Sequence, residues 1–208
     1  MAHPIDSRVI AVNGPLVTAE VIRDQEVTMN EVAYVMWNGT PLKSEVIRIR
    51  GRLIDIQVFE STTGLKVGDQ VNFSRELLSA TLGPGILGQI YDGLQNPLNM
   101  LENSQGFFLK RGQYVNSLDH TKKWEFTPLV AQGDHVKAGY YLGYVPEGIF
   151  RHHIIVPLSY AGMGEIVEIA GQGYYTIGEP IALLRDENGE KFSVTMEQKW
   201  PVKIPIRI

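Results

Sequence analysis

Apolar and polar side chains alternate through the first third of the chain in short runs cut by turn residues. The runs are Arg8 to Val12 (RVIAV), Leu16 to Ile22, Asn30 to Met36, Ser44 to Arg50 (SEVIRIR), Leu53 to Glu60 (LIDIQVFE) and Gln70 to Ser74. Between them stand Asn13-Gly14-Pro15, Asn38-Gly39, Gly51, Gly64 and Gly68-Asp69. Val, Ile and Thr at period two, punctuated by Gly, Asn and Pro, predict half-buried antiparallel strands. Short strands at this spacing predict a small barrel or sandwich.

The stretch Leu82 to Leu98, LGPGILGQIYDGLQNPL, breaks the alternation. A short helix or helical turn is expected over Leu98 to Asn103, and Lys110 to Pro128 reads as polar and irregular. Within it, Trp124 and Phe126 are spaced to point to one side of an extended segment. Alternation returns from Leu129 to Leu184, with strands expected at Ile154 to Pro157, Glu165 to Ala170, Tyr174 to Ile177 and Ile181 to Leu184. Asn188-Gly189 predicts a hairpin between Ile181 to Arg185 and Lys191 to Met196. No segment has the period of a long amphipathic helix. The expected fold is therefore mainly β, with few helices.

Composition narrows the chemistry. The chain has 208 residues and no cysteine, so thiolate zinc sites, thiol nucleophiles and disulfides are excluded. A chain of this length buries roughly 70% of its unfolded surface and needs no such staple. A net charge of -4 argues against nonspecific nucleic-acid binding, which rests on Lys and Arg neutralising phosphates. The first residues show neither a long apolar run nor a small-residue cleavage site, so they do not read as a signal peptide. No run approaches the ~20 apolar residues that span a bilayer.

Several candidate sites fail on residue type. Gly83, Gly85, Gly88 and Gly93 crowd around Pro84 and Pro97 like a phosphate loop. A P-loop also needs Gly-Lys-Ser or Gly-Lys-Thr, which occurs nowhere in the chain. The stretch holds no Lys or Arg at all, so turns are the better reading: Gly supplies φ above zero and Pro fixes φ. His152 and His153 are adjacent on an extended segment and point to opposite faces, away from a shared metal ion. No nearby carboxylate cluster supports them. Trp124, Phe126 and Trp200 could be stacking platforms and read better as buried anchors of a long loop. No catalytic, cofactor-binding or metal-binding residue is assigned.

Two resemblances follow from longer stretches. Val130 to Val145 (VAQGDHVKAGYYLGYV) with His152 to Ile169 resembles the two halves of a biotinyl or lipoyl carrier fold. A carrier needs a Lys at its hairpin tip. The tip falls near Arg151, and Ile149 to Pro157 contains no Lys, so carrier chemistry is disfavoured. More broadly, VNGPLV (Val12 to Val17), ESTTGLKVGD (Glu60 to Asp69), LGPGILGQIYDGLQNPL, LDHTKKWEFTP (Leu118 to Pro128), GYVPE (Gly143 to Glu147), HHIIVP and KWPVK (Lys199 to Lys203) stand in the order found in one family. The chain resembles the catalytic A subunit of V-type and archaeal A-type rotary ATPases. Asn96, His153 and Leu158 depart from the residues usual there.

That resemblance implies a layout and a function. Residues 1–74 are expected to form an N-terminal β-barrel, and 75–111 a connecting segment bordering a nucleotide-binding domain. Residues 112–197 would be a bulge domain of barrel-sandwich (biotinyl/lipoyl-like) type, and 198–208 a return segment. The family's P-loop, catalytic Glu and Mg²⁺ site would follow the KWPVK-like segment, so the chain is expected to be an inactive N-terminal piece. Mg-ATP or ADP would bind the parent subunit, with no cofactor in this chain. Expected partners are B subunits, other A subunits and peripheral-stalk subunits, with no nucleic acid and no membrane insertion. The expected location is cytoplasmic, peripheral to the membrane. A free-standing β-rich binding module is the alternative.

Overall fold

The computed structural model describes residues 7–22, 26–98, 111–112 and 114–205. The alternating runs of the first third become β1 (Ser7–Asn13), β2 (Leu16–Val21), β3 (Glu31–Trp37), β4 (Thr40–Arg50), β5 (Leu53–Val58) and β6 (Val71–Leu77). They form a six-stranded antiparallel sheet in the order β1-β2-β5-β4-β3-β6. Its two ends meet. Arg8 bridges Gln70, Val9 N–H donates to the Asp69 carbonyl at 2.8 Å, and Gly68 N–H donates to the Val9 carbonyl at 2.9 Å. The sheet is thereby a barrel without a free edge. Strand β4 begins earlier than its alternation suggests, with Pro41 opposite Met36, a Pro tolerated near a strand start.

Every second residue of these strands faces inward. Val9, Val17, Val35, Leu42, Val46 and Ile56 are fully buried in one cluster. Two buried carboxylates of this unit, Glu31 and Asp55, are held by neighbours. Glu31 accepts from Thr28 N–H at 2.9 Å and from Arg75 N–H, where Arg75 takes φ 62°. Asp55 accepts from Thr18 Oγ1 at 3.0 Å and from Arg50 Nη2 at 2.9 Å. Arg111, Gly112, Tyr114 and Pro201–Lys203 belong to the same compact unit. Gly112 N–H donates to Glu60 Oε2 at 2.7 Å, and Tyr114 OH donates to the other Glu60 oxygen. Burial, together with that hydrogen bond, pushes the Tyr114 phenol well above its ordinary range. Lys203 Nζ lies 2.8 Å from Glu45 Oε2, tying the KWPVK segment to β4.

The second unit holds β8 (Lys123–Pro128), β9 (His135–Lys137), β10 (Tyr141–Glu147), β11 (Phe150–Ile155), β12 (Met163–Ile169), β13 (Gly173–Thr176), β14 (Ala182–Asp186) and β15 (Lys191–Val194). These make two four-stranded sheets, ordered β11-β10-β8-β13 and β15-β14-β12-β9. Trp124, Phe126, Val145, Ile154 and Ile177 fill one core cluster, and Val136, Leu142, Val156, Ile166 and Leu184 the other. The Asn188-Gly189 hairpin forms as expected, with Leu183 opposite Ser193. A short pair, β7 (Ser79–Leu82) with β16 (Gln198–Pro201), accompanies them.

The structure corrects two readings. The end of the supposedly irregular Lys110–Pro128 segment is strand β8, whose charged and polar residues face outward while Trp124 and Phe126 face in. Strand β11 stops at Ile155, and Val156 and Pro157 lie outside it. The helix expected over Leu98 to Asn103 falls on residues of which only Leu98 is described. The rest of the fold class stands: the described residues are almost entirely strand and turn.

One glycine packs the second unit closely. A Cβ on Gly143, in mid-β10, would lie 2.3 Å from Phe126 Cε2 and 2.5 Å from the Thr127 carbonyl oxygen. Only a bare Cα lets β10 approach β8 there. Gly143→Ala is expected to destabilise this unit by about 2–3 kcal/mol through overpacking. Urea denaturation followed by tryptophan fluorescence checks it, and a loss below about 0.5 kcal/mol would refute the close fit.

Candidate functional site

The glycine-rich stretch folds as a chain of turns whose polar side chains answer its backbone. Gly85 and Gly88 take φ of 101° and 78°, as turns require. Gly83 has a different reason: a Cβ there would meet the Met196 carbonyl oxygen at 3.1 Å. Gln95 clamps Thr81 in both directions, accepting from its N–H and donating to its carbonyl, each at 2.7 Å. Asp92 Oδ1 accepts from Leu94 N–H at 2.9 Å and Asn96 N–H at 2.8 Å, while Asn96 Nδ2 donates to Asp92 Oδ2 at 2.8 Å. Asn96 Oδ1 in turn accepts from Val115 N–H at 3.3 Å. Asn96 thus has a neutral structural task here.

The backbone of this loop does cradle an anion, and the anion belongs to the protein. Gly85 N–H and Leu87 N–H donate to Glu147 Oε1 at 2.7 and 3.1 Å. The other carboxylate oxygen lies 2.6 Å from His152 Nδ1. Glu147 is buried, and its side chain is only 8% exposed. Two backbone donors and an imidazole around a buried carboxylate form a charge-assisted network. The negative charge is felt nearby: burial first, and Glu147 second, raise the Tyr91 phenol above its ordinary pKa. Tyr91 OH donates to the Ser117 carbonyl at 2.9 Å. A cleft of about 490 Å³ opens beside this network, lined by Gly85, Lys122, Trp124, Glu147 and Tyr174 among others.

The two histidines point apart, as their adjacency requires. His152 faces inward to Glu147, whereas His153 lies on the outer face, stacked on Tyr141 with ring centroids 4.4 Å apart. His152 has a single carboxylate partner, Glu147, and not a carboxylate cluster. Val145 pairs with His152 and Glu147 with Phe150, so Glu147 and His152 are diagonal neighbours on one face of a hairpin. The two-residue turn at Gly148-Ile149 is the signal that could have found this pair. Among the described residues no group of three or more His, Cys, Asp or Glu side chains is arranged to hold a metal ion. Trp124 and Phe126 are buried anchors, seated on a strand rather than in a loop. Trp200 is only half buried, with its Nε1 donating to the Ile204 carbonyl at 3.2 Å.

Removing the carboxylate should expose what it holds. Glu147→Ala strands two loop amides and an imidazole, and is expected to cost about 3 kcal/mol. Gly85 and Leu87 amides should then exchange with solvent much faster by hydrogen–deuterium exchange, while Glu147→Gln, which keeps an acceptor, should retain most of their protection. Tyr91 provides a second readout. Its raised pKa means the folded state favours the neutral phenol. That contribution is complete below the ordinary tyrosine value of 10.0 and is lost as pH rises above it. Absorbance titration at 295 nm, wild type against Tyr91→Phe, should report a midpoint that falls in Glu147→Gln yet stays above the ordinary value, since burial persists. An unchanged midpoint would contradict the arrangement.

Comparisons with known proteins bear on both units. Residues 9–75 match the family model of the ATP synthase alpha/beta family, beta-barrel domain, and residues 115–203 match that of the ATP synthase alpha/beta subunit barrel-sandwich domain. The chain is 50% identical over 199 residues to the V-type ATP synthase alpha chain of Borrelia garinii subsp. bavariensis, covering 96% of this chain and 34% of that protein. It is 48% identical over 196 residues to the V-type ATP synthase alpha chain of Treponema denticola, covering 94% of this chain and 33% of that protein. The chain spans about a third of the length of the curated relatives it matches. Among the described residues no helix is long and apolar enough to cross a membrane. With one domain model on the closed barrel, a second on the paired four-stranded sheets, and half of all aligned residues identical to V-type alpha chains, the chain belongs to the ATP synthase alpha/beta family.

Proposed function

We propose that this chain forms the barrel and bulge part of the A subunit of a V/A-type rotary ATPase. The complete subunit couples ATP hydrolysis or synthesis to H⁺ or Na⁺ transport. The observation that carries this reading is an alignment with V-type alpha chains that spans nearly the whole chain at about half identity. In this reading the barrel provides contacts to neighbouring A and B subunits, and the bulge provides contacts to peripheral-stalk or adjacent subunits. The work is done on the cytoplasmic side, peripheral to the membrane.

The same reading makes these 208 residues non-catalytic. Phosphoryl transfer needs a phosphate cradle, a positioned cation and a group that orients the nucleophile. The chain has no Gly-Lys-Ser or Gly-Lys-Thr. Its one glycine-rich loop spends two amides on Glu147. Mg-ATP or ADP is therefore assigned to other parts of the parent subunit, and no cofactor to this chain.

Purified chain is expected to show no ATP turnover in a coupled assay and no heat of binding with Mg-ATP at micromolar concentrations. Stoichiometric micromolar binding would overturn the non-catalytic reading. A full-length A subunit carrying Glu147→Ala should retain ATP turnover in isolation but assemble poorly with B and stalk subunits by native gel. Normal assembly would count against a contact role for the bulge.

A further inference from the structure

Strand β11 ends its sheet, in the order β11-β10-β8-β13, and no strand pairs with its outer edge among the described residues. Which backbone groups that edge offers follows from its inner pairing. Val156 N–H donates to the Tyr140 carbonyl, and Glu147 pairs with Phe150 across the two-residue turn. Groups pointing to β10 therefore recur at Phe150, His152, Ile154 and Val156. By the strand's period of two, N–H and C=O of Arg151, His153 and Ile155 point outward, unpaired among the described residues.

The edge is also chemically marked. The hairpin turn leaves Ile149 93% exposed and Phe150 59% exposed at its tip. Two exposed basic side chains, Arg151 and His153, share the outer face, and β11 contains no carboxylate. The neighbouring Glu147 is buried and committed to the loop amides and His152. On the outer face the strand is held in shape by rings: His153 stacks on Tyr141, and the Arg151 guanidinium lies 5.1 Å from the Tyr144 ring centroid. Exposed edges are usually short, bulged or covered. Here the extra residue of the register irregularity sits on β10, between Tyr141 and Gly143, and β11 inserts none over its six residues.

We infer that the outer edge of β11 is a docking site for an acidic, extended segment of another protein, which adds to the sheet as a further antiparallel or parallel strand. Main-chain hydrogen bonds to Arg151, His153 and Ile155 supply affinity. Carboxylates opposite Arg151 and His153 supply selectivity, and an apolar residue covers Phe150. A second copy of this chain fits worse. Symmetric pairing of β11 with itself sets the Arg151–His153 rows of the two copies against each other, and like charges facing across a ladder are destabilising. The inference stands on the strand and does not require the rotary-ATPase reading.

The probe is a fluorescein-labelled octapeptide of alternating Glu and Val, compared with Gln/Val and Lys/Val versions by anisotropy at low salt. The Glu/Val peptide should bind about tenfold or more tighter than the Lys/Val peptide and weaken as salt rises. Bound, it should slow amide exchange at Arg151, His153 and Ile155 and leave β15, an edge of the other sheet, unchanged. His153→Pro removes an outward N–H without removing a donor to β10, and should cut binding about tenfold. Arg151→Glu keeps the backbone intact and should reverse the preference towards the Lys/Val peptide, so the test survives if the proline variant misfolds. Equal binding of acidic and basic peptides, or no added protection at the edge, would overturn the site. Dimerisation by sedimentation that Arg151→Glu alters would assign the edge to a second copy, and tighter binding of oligo-dT than of peptide would assign it to nucleic acid. Any of these failures leaves the assembly reading untouched, because that reading is judged on assembly with B and stalk subunits.

Discussion

A single buried carboxylate organises the part of the chain that carries its most distinctive residues. Glu147 holds two amides of the glycine-rich loop with one oxygen and His152 with the other. Taking an ionised carboxylate out of water is expensive unless charge-assisted hydrogen bonds surround it. Here both oxygens are satisfied, and the loop in turn has its amides satisfied without regular secondary structure. The arrangement explains why a loop so rich in glycine and so poor in cations can be ordered. Its anion is supplied from within, by the hairpin of β10 and β11.

The two units solve the edge problem of β-structure differently. In the first, hydrogen bonds from Val9 and Gly68 join β1 to the approach of β6 and leave no strand end open. Closure costs conformational freedom at the turns, and Gly14, Gly39, Gly51 and Gly68 accept positive φ there. In the second, two four-stranded sheets share the burial of apolar side chains and remain open, so among the described residues β11, β13, β15 and β9 each end a sheet. The β15 side follows a turn at Asn188-Gly189 and carries Lys191, Ser193 and a partly exposed Phe192. The β11 side carries aromatic, apolar and basic groups together.

Much of the architecture was legible in the residues because period-two alternation reports which face is wet. Strands β1 to β6 follow their apolar runs closely, and Trp124 and Phe126 were readable as a pair on one side of an extended segment. What alternation could not report is pairing across distance. Strand β8 looked irregular because Lys122, Lys123 and Glu125 surround its two buried rings, and its partners, β10 and β13, lie far along the chain. The Glu147–His152 pair was hidden for a related reason: five positions apart, the two residues meet only because a two-residue turn folds the strand back. The resemblance to rotary ATPase A subunits reached the family sooner than any single site did, since it rests on the order of many weak stretches.

The loop's chemistry also bears on why these residues resemble a phosphate site without being one. Backbone amides freed by positive-φ glycines bind whatever anion geometry brings to them, and they do not discriminate phosphate from carboxylate. Discrimination in a P-loop comes from the Lys and the hydroxyl that follow the glycines. Once those are absent and a carboxylate is tethered within 2.7 Å of Gly85 N, an external phosphate must displace an internal ligand whose effective concentration is high. The same tether transmits strain the other way. Any contact that shifts the β10–β11 hairpin moves Glu147, and through it Gly85 and Leu87. A partner seated on the edge of β11 would therefore act on the glycine-rich loop without touching it.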